Sequence, residues 1–313
     1  MNAAPSFNAA PSSPRHTPDT PTERALVLGG GGSTGNAWLI GVIAGLSEAG
    51  LDVTDADLIV GTSAGSTAAA QITAASPADL YAAVLAAPEH AGPATPQSAS
   101  VGAATGRVAD QVERTAKIIA AAQDPEDMRR RMGAFALERD AGPDGAAHTR
   151  WHAVVAGRLP SQGWPDRRLL ITAVDAVTGE PAVFDRDTGV ELVDAVAASC
   201  SSGFAYAIGT SRYIDGGYRR NENADLAAGY RRVLVLSPFG GRTRHPLQWR
   251  MQLAAQVDEL RAAGSRVETV FPDSSAEHLF GANAMDNTLR PAAARAGHSQ
   301  GTALAGRLAA FWR

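Results

Sequence analysis

Short apolar runs alternate along this chain with longer segments in which apolar positions recur every three or four residues. The short runs predict buried strands, and the longer segments predict helices with one apolar face. Strands that alternate with helices in this way predict an α/β protein whose mainly parallel sheet is covered on both faces. The predicted strands are residues 25–28, 58–60, 168–174, 181–184, 232–236 and 267–271, and the predicted helices are residues 37–49, 66–75, 107–122, 124–140, 246–263, 275–282, 285–296 and 299–313.

Capping residues mark two further helix starts. Ser76 precedes Pro77 and Asp79, which is the order of an N-cap, a first-turn proline and an acidic residue near the helix dipole. Thr188 is the predicted N-cap of a helix through residues 191–197. Gly50 is the predicted C-cap of the helix over residues 37–49.

The chain divides into a tail and one predicted domain. Residues 1–22 are rich in Pro, Ser, Ala and Thr without apolar periodicity, which predicts a disordered tail and no signal peptide. Residues 23–313 contain no internal repeat and no second core, so we expect a single domain. Within it, residues 77–160 predict a helical insertion that forms one wall of a cleft, interrupted by a Pro/Gly/Ala/Ser-rich loop over residues 88–106.

Composition narrows the function classes. The chain has 313 residues, of which 45% are hydrophobic and 19% charged, as in an ordinary soluble enzyme. Its net charge of −4 provides no global field for nucleic acid. Lys117 is the only lysine among 28 basic residues, which argues against a Schiff-base or P-loop lysine. The single cysteine and the lack of a long apolar run favour a reducing, cytoplasmic location.

The strongest candidate for chemistry is Ser63, which lies between Gly61 and Gly65 in the sequence Gly-Thr-Ser-Ala-Gly. An apolar strand precedes this segment and a run of small residues follows it, which predicts a sharp strand-to-helix turn. A serine at the apex of such a turn has an exposed hydroxyl, and glycines on both sides allow the close packing of helix on strand. The helix N-terminus behind it favours a developing oxyanion.

A glycine-rich loop follows the first predicted strand. Its bare N–H groups, between a strand and a helix, are typical of an anion-binding loop. The loop also matches the dinucleotide-binding pattern G-x-G-x-x-G, but that pattern requires an acidic residue at the end of the next strand, where this chain has Gly61. A cofactor is therefore not expected. The loop glycines are Gly29, Gly30, Gly31, Gly32 and Gly35.

A carboxylate ends a later strand. Asp215 follows Tyr213 and Ile214 and precedes Gly216 and Gly217, which allow the backbone to turn sharply and hold the carboxylate inward. Acyl transfer by a serine needs an exposed hydroxyl, a base and donors for the oxyanion. Ser63, Asp215 and the glycine loop supply these three parts, each at the carboxyl end of a predicted strand.

Taken together, these motifs resemble the patatin-like phospholipase family of acyl hydrolases, from about residue 25 to about residue 301. The resemblance implies a three-layer α/β/α sandwich, a Ser–Asp dyad without histidine, hydrolysis of lipid acyl esters and no cofactor or metal. It implies that Ser63 is the nucleophile and Asp215 the base. The matching glycines are Gly30, Gly31, Gly32 and Gly35 in the oxyanion loop, Gly61 and Gly65 in the elbow, and Gly216 and Gly217 after the aspartate.

One departure concerns Thr34, because many family members carry a basic residue at this point of the glycine loop. Its absence places phospholipid preference in doubt more than ester hydrolysis, so neutral lipids and small acyl esters stay open as substrates. Peripheral membrane contact also stays open, although residues 77–160 carry no strong basic amphipathic stripe. An aspartate base further requires that burial raise its pKa, so we expect Asp215 to be buried against Ser63.

Two alternatives stay open at this level, beside the weaker third one of dinucleotide binding by the glycine loop. An α/β-hydrolase triad would recruit one of the histidines that follow Asp215, namely His245, His278 or His298. A lipid-binding or regulatory protein on the same scaffold would have weak turnover or none.

Three other features receive structural interpretations. Cys200 is interpreted as a small buried thiol, and His148 and His152 as two exposed histidines without a third metal ligand. The arginines at residues 129–131 are interpreted as a solvated helix face.

Overall fold

The computed structural model describes residues 23–86, 113–139 and 146–313. The predicted N-terminal tail and the predicted loop over residues 88–106 lie outside these ranges. The strands are β1 (Arg24–Leu28), β2 (Leu58–Gly61), β3 (Arg168–Asp175), β4 (Pro181–Phe184), β5 (Tyr206–Ile208), β6 (Ser211–Asp215), β7 (Arg232–Leu236) and β8 (Arg266–Val270). The helices are α1 (Gly32–Glu48), α2 (Ala64–Ile72), α3 (Pro77–Ala86), α4 (through residues 113–121), α5 (Pro125–Arg139), α6 (Ala146–Ala156), α7 (Leu192–Ser199), α8 (Leu253–Ala262) and α9 (Arg290–Trp312).

These strands form one mixed sheet, in which the hydrogen-bonded pairs follow the path β5-β6-β3-β2-β1-β7-β8 and β4 also pairs with β3. The pairs that join β1, β2, β3, β7 and β8 are parallel, whereas β4, β5 and β6 pair antiparallel at one end of the sheet. Helices cover both faces, as the alternation of strands and helices predicts. The fold is the expected three-layer α/β/α sandwich.

The period of two along the strands assigns the apolar side chains to two layers. On β1, Leu26 and Leu28 pack in the cluster that contains α1, α2, α7 and α9. Ala25 and Val27, which alternate with them, pack in the cluster of α8 on the other face. The buried strand residues therefore hold both helical layers against one sheet.

Several predicted boundaries were wrong, and local geometry explains why. The predicted helix over residues 246–263 starts only at Leu253, because Arg250 adopts a left-handed backbone with φ +53° that ends a preceding 3₁₀ turn. Thr188 caps no helix; its hydroxyl donates to the Asp185 carbonyl at 2.7 Å. The Ser76 cap is as predicted, since its Oγ accepts from the Asp79 N–H at 3.1 Å.

The two predicted C-terminal helices are one continuous helix, α9. The expected break near Gly297 is absent because this glycine serves packing instead. A Cβ at Gly297 would overlap the Trp38 carbonyl of α1. The residues predicted as a helix over 275–282 form 3₁₀ turns, and α1 starts five residues earlier than predicted, inside the glycine loop.

Among the described residues, no helix combines the length and the apolar character that crossing a bilayer requires.

Candidate active site

Strand pairing explains how Ser63 and Asp215 meet. On β3, residues 168–171 pair with β2 and residues 173–175 pair with β6. β4 pairs with residues 171–174 of β3, so it overlaps both stretches. A strand has only two edges, so β2 and β6 must share the edge that β4 leaves free. They approach from opposite directions and end opposite Ile171 and Ala173, respectively. The ends of the two strands, and the residues that follow them, are thereby brought face to face.

Ser63 occupies a strained turn. Its backbone angles are φ 52° and ψ −117°, which non-glycine residues rarely adopt. The turn is held by hydrogen bonds to α7: the Ser63 N–H donates to Ser199 Oγ at 2.9 Å, and the Cys200 thiol donates to the Ser63 carbonyl at 3.1 Å. Such a conformation persists because contacts with the surrounding residues offset the conformational cost at Ser63.

The two elbow glycines are required by close packing. A Cβ at Gly65 would overlap the Leu28 carbonyl, and a Cβ at Gly61 would lie 2.6 Å from the Ser66 Cα. Helix α2 therefore packs directly on the strand ends, and its first turn stays beside the serine. This is the role that the sequence predicts for both glycines.

The serine hydroxyl faces the aspartate. Ser63 Oγ donates to Asp215 Oδ2 at 2.7 Å, and the Gly217 N–H donates to the other carboxylate oxygen at 2.8 Å. Asp215 is only 8% exposed. Burial raises the pKa of Asp215 to about 6, although both hydrogen bonds act to lower it. The carboxylate is buried against the serine, as expected. The roles of Ser63 as nucleophile and Asp215 as base stay a prediction.

The glycine loop offers donors near this pair. Gly30 donates its N–H to the Asn221 carbonyl at 3.0 Å, and Thr34 donates its N–H to the Ala284 carbonyl at 3.0 Å. Between them, the N–H groups of Gly31, Gly32 and Ser33 donate no hydrogen bond within the described ranges. They are available to a ligand.

The Ala64 N–H, directly after the serine, is also without an acceptor among the described residues. It belongs to the helix N-terminus that the sequence predicts to favour a developing oxyanion, and the position after an elbow nucleophile commonly contributes to an oxyanion hole.

Asn221 orients the glycine loop, and sequence reasoning missed it. Its backbone carbonyl accepts from Gly30, and its Nδ2 donates back to the Gly30 carbonyl at 3.3 Å. In a planar trans peptide the C=O and the following N–H point in opposite directions, so this contact turns the Gly31 N–H away from Asn221. The only sequence signal was a run of polar residues, 221–223, shortly after Asp215.

The Asn221 side chain is itself supported by a buried acid. Its Nδ2 also donates to Glu222 Oε1 at 2.9 Å, and Ser237 Oγ donates to the same oxygen at 2.7 Å. Burial raises the pKa of Glu222.

The histidines of the triad alternative lie elsewhere. His245 contacts Thr243 and stacks on Trp249, and His298 contacts Glu48 at 2.7 Å. Within the described part of the chain, neither they nor His278 hydrogen-bonds to Ser63 or Asp215.

The cysteine and the two histidines that were interpreted as structural differ in detail from expectation. Burial and the charge of Asp215 raise the pKa of the Cys200 thiol, which lies beneath the serine turn. His148 and His152 are half-buried rather than exposed. His148 Nδ1 accepts from the Ala207 N–H at 3.3 Å. No group of three His, Cys, Asp or Glu residues in the described ranges is arranged to hold a metal ion.

The arginine run is only partly a solvated face. Arg130 and Arg131 form surface ion pairs one turn back along α5, as predicted. Arg129 is half-buried and donates to the Gly179 carbonyl at 2.6 Å, so it joins α5 to the turn between β3 and β4.

Comparison with models of protein families identifies one family for this chain. The family model described as patatin-like phospholipase matches residues 26–228. A comparison with curated proteins finds no match. Among solved structures, VipD from Legionella pneumophila has 14% identity and a TM-score of 0.38 over 87% of this chain and 67% of its own.

The type III effector protein ExoU has 15% identity and a TM-score of 0.33 over 90% of this chain and 54% of its own. ExoU from Pseudomonas aeruginosa in complex with SpcU has 18% identity and a TM-score of 0.34, with 90% and 53% covered. This chain thus spans about two thirds of VipD and little more than half of ExoU.

Proposed function

Because the chain belongs to the patatin-like phospholipase family, we propose that it hydrolyses carboxylic esters of lipids through an acyl-enzyme on Ser63, with Asp215 as the base. The observation that carries this proposal is the 2.7 Å hydrogen bond from Ser63 Oγ to a carboxylate that is almost fully buried. A nucleophile and its base must lie within such a distance for proton transfer to accompany attack.

In the first half-reaction Asp215 takes the hydroxyl proton as Ser63 Oγ attacks the ester carbonyl carbon. The resulting oxyanion accepts hydrogen bonds from the unengaged N–H groups of Gly31 and Gly32, and from that of Ala64. The tetrahedral intermediate then expels the alcohol, which receives the proton from Asp215. This leaves an acyl group on Ser63.

In the second half-reaction a water molecule donates its proton to Asp215 and attacks the acyl carbon. Collapse of the second tetrahedral intermediate releases the fatty acid, and Asp215 returns its proton to Ser63 Oγ, which restores the hydroxyl. The elevated pKa of Asp215, about 6, suits both directions of proton transfer, since the carboxylate is more basic than usual yet still mostly ionised at neutral pH.

The test is a panel of acyl esters and phospholipids with wild type, Ser63→Ala and Asp215→Asn. We expect either substitution to lower kcat by about 10³-fold or more, because each removes a group that acts in the same step. A fluorophosphonate probe should label wild type and leave Ser63→Ala unlabelled. Folded wild type that neither turns over esters nor reacts with the probe would instead favour a lipid-binding protein.

Single Ala replacements of His245, His278 and His298 serve as matched controls. None of these side chains contacts the dyad in the described structure, so each variant should keep most of the wild-type kcat. Near-complete loss in one of them, with the fold intact, would favour a Ser–Asp–His triad.

A further inference from the structure

The segment between β8 and α9 lies against the second half of the glycine loop. The Ala284 carbonyl accepts from the Thr34 N–H at 3.0 Å, and a Cβ at Gly32 would lie 2.6 Å from the same carbonyl oxygen. Asn287 Oδ1 accepts from Ser33 Oγ at 2.5 Å. This segment therefore contacts both the backbone and a side chain beside the unengaged N–H groups of the loop.

Arg290, the first residue of α9, adds three hydrogen bonds to the same part of the loop. Its Nη1 donates to the Ser33 carbonyl at 2.8 Å and to Ser33 Oγ at 3.2 Å, and its Nη2 donates to Asn36 Oδ1 at 3.1 Å. Ser33 and Asn36 lie at the start of α1. Hydrogen bonds from a charged donor are stronger than those between neutral groups. One guanidinium thus joins the loop to the first turns of the helix that follows it.

The unengaged N–H groups lie between two peptides that are held from outside the loop. On the N-terminal side, Asn221 Nδ2 donates to the carbonyl of Gly30. On the C-terminal side, the peptide that follows Ser33 is held at both of its polar groups, because its carbonyl accepts from Arg290 and its N–H donates to Ala284. Peptide groups are planar and rigid, so the directions of the N–H groups between these two peptides depend on both contacts.

The position of Arg290 is unfavourable for the fold by itself. A positive charge at the first residue of a helix opposes the helix dipole, and burial lowers the pKa of Arg290 to about 10 because it penalises the charged form. No carboxylate in the described ranges lies within ion-pair distance of this guanidinium. Asp286, four residues earlier, instead accepts from the N–H and the hydroxyl of Thr288. A residue that departs from these local rules indicates a role in function.

We propose that Arg290 is a positioning residue for the oxyanion hole. It fixes Ser33 so that the N–H groups of Gly31 and Gly32 point at the oxyanion, and its charge favours the anionic tetrahedral state over the neutral ester. Donors that are held in place before the reaction stabilise such a state most strongly. This inference rests on the proposed hydrolase function and adds a residue from beyond the family match, which ends at residue 228.

The experiment measures hydrolysis of p-nitrophenyl butyrate, a neutral soluble ester, by wild type, Arg290→Met and Arg290→Lys. Methionine is a long side chain without charge or N–H donor, and lysine keeps the charge without the fork. Arg290→Met should lower kcat by about tenfold with KM within about twofold of wild type, since the contact acts on the transition state. Arg290→Lys should recover part of this loss. Wild-type kcat in folded Arg290→Met would overturn the proposal.

A tetrahedral inhibitor distinguishes positioning from a general loss of stability. Butylboronic acid binds the oxygen of a nucleophilic serine as an anionic tetrahedral adduct, so its Ki should rise in Arg290→Met by the same factor as kcat falls. The free energy of unfolding is measured in urea for the same variants. If it falls while kcat and Ki stay at wild-type values, Arg290 has a structural role alone and the proposal fails.

Arg295→Met is the matched control. Arg295 is exposed and lies five residues later on α9, about 7.5 Å along the helix axis, and it makes no hydrogen bond or ion pair within the described part of the chain. Its kcat and Ki should stay within about twofold of wild type. Equal losses in Arg290→Met and Arg295→Met would overturn the proposal, because any charge on α9 would then have the same effect.

Two milder variants keep the test decisive if Arg290→Met does not fold. Asn287→Ala removes the acceptor of Ser33 Oγ from an exposed turn, and Arg290→Lys retains a cation. Each should lower kcat by about threefold, the effect of one hydrogen bond on the loop. Wild-type values in both would overturn the proposal.

Amide hydrogen exchange of the loop provides a measurement without turnover. The Thr34 N–H donates to Ala284 and the Gly35 N–H donates to Gly31. Both should exchange about tenfold faster in Arg290→Met, and Arg295→Met should leave them unchanged. If wild type neither hydrolyses esters nor binds the boronic acid but exchange follows this pattern, the hydrolase proposal fails while Arg290 still holds the loop. Active wild type with unchanged exchange and kcat in Arg290→Met would overturn the positioning role and leave the hydrolase proposal intact.

Discussion

At the scale of single residues, the proposed chemistry depends on the properties of Asp215. An exposed aspartate is too weak a base for a serine hydroxyl. Here the carboxylate is 8% exposed, and burial raises its pKa to about 6 despite hydrogen bonds from Gly217 and Ser63. The same burial that makes it a better base also makes its charged form costly within the fold.

The first prediction concerns the pH dependence of kcat/KM for a neutral ester. The base must be ionised, so activity should be constant well above about pH 6 and fall as pH decreases through this value. Below it the slope should approach one decade per pH unit, because one proton inactivates the enzyme. Stopped-flow or steady-state assays between about pH 5 and about pH 8 would measure this. A flat profile over that range contradicts Asp215 as the base.

At the scale of elements, the crossing of α1 and α9 depends on glycine. Gly41 and Gly45 of α1, and Gly297 and Gly301 of α9, each lie where a Cβ would overlap a backbone carbonyl of the other helix. The helices therefore pack backbone to backbone, which brings Arg290 to the glycine loop. Because backbone cannot move aside as a side chain can, these positions tolerate little added volume.

The corresponding prediction compares two Gly→Ala changes within α9. Gly297→Ala should lower the free energy of unfolding by about 1–3 kcal/mol, because the added methyl overlaps the Trp38 carbonyl. Gly306→Ala is the control: nothing lies within 4 Å of its Cβ position, and we expect about 0.5–1 kcal/mol of stabilisation from helix propensity. Urea unfolding of both variants would measure the difference. Equal effects would contradict the close packing of the two helices.

At the scale of the whole molecule, the site depends on parts of the chain outside the family match. That match ends at residue 228, whereas β7, α8, β8 and α9 follow it. β7 pairs with β1 directly beside the glycine loop, and Ala284 and Arg290 hold the loop from the C-terminal side. The geometry of the candidate site and the stability of the fold are therefore coupled through the complete sheet.

The third prediction concerns this coupling, measured as the free energy of unfolding. The pKa of Asp215 is raised on folding, from an ordinary 3.8 to about 6, so the folded state binds the proton more tightly than the unfolded chain. The contribution of Asp215 to stability is thus complete at low pH and is lost as pH rises through about 6, by about 3 kcal/mol at most. Asp215→Asn avoids this loss, since an amide cannot ionise.

We therefore expect Asp215→Asn to be more stable than wild type by about 2 kcal/mol near pH 8, and by much less near pH 4. Asp225→Asn is a control with the opposite sign. Burial acts to raise the pKa of Asp225, but the hydrogen bond and charge of Arg219 and the charge of Arg220 lower it, so this variant should lose stability at neutral pH. Denaturant unfolding at both pH values measures each change; an Asp215→Asn variant less stable than wild type near pH 8 contradicts the prediction.

The sequence by itself determined the parts of this protein that depend on near neighbours. Alternation along each strand identified the buried runs. Gly61, Gly65 and Gly216 could be identified because each stands in a turn motif at the end of a predicted strand. Ser63 and Asp215 were identified as candidate site residues for the same reason, since each lies where a strand ends and a glycine-containing turn begins. These features need no knowledge of distant residues.

The tertiary structure alone decided what lies between distant segments. Asn221 contacts a loop 191 residues away, and Arg290 contacts Ser33 across 257 residues. No periodicity or motif specifies such pairs, because they are fixed by sheet order and helix crossing rather than by local backbone preference. For the same reason the sequence placed a helix end at residue 296, directly before Gly297, where the fold uses the glycine to admit a neighbouring helix.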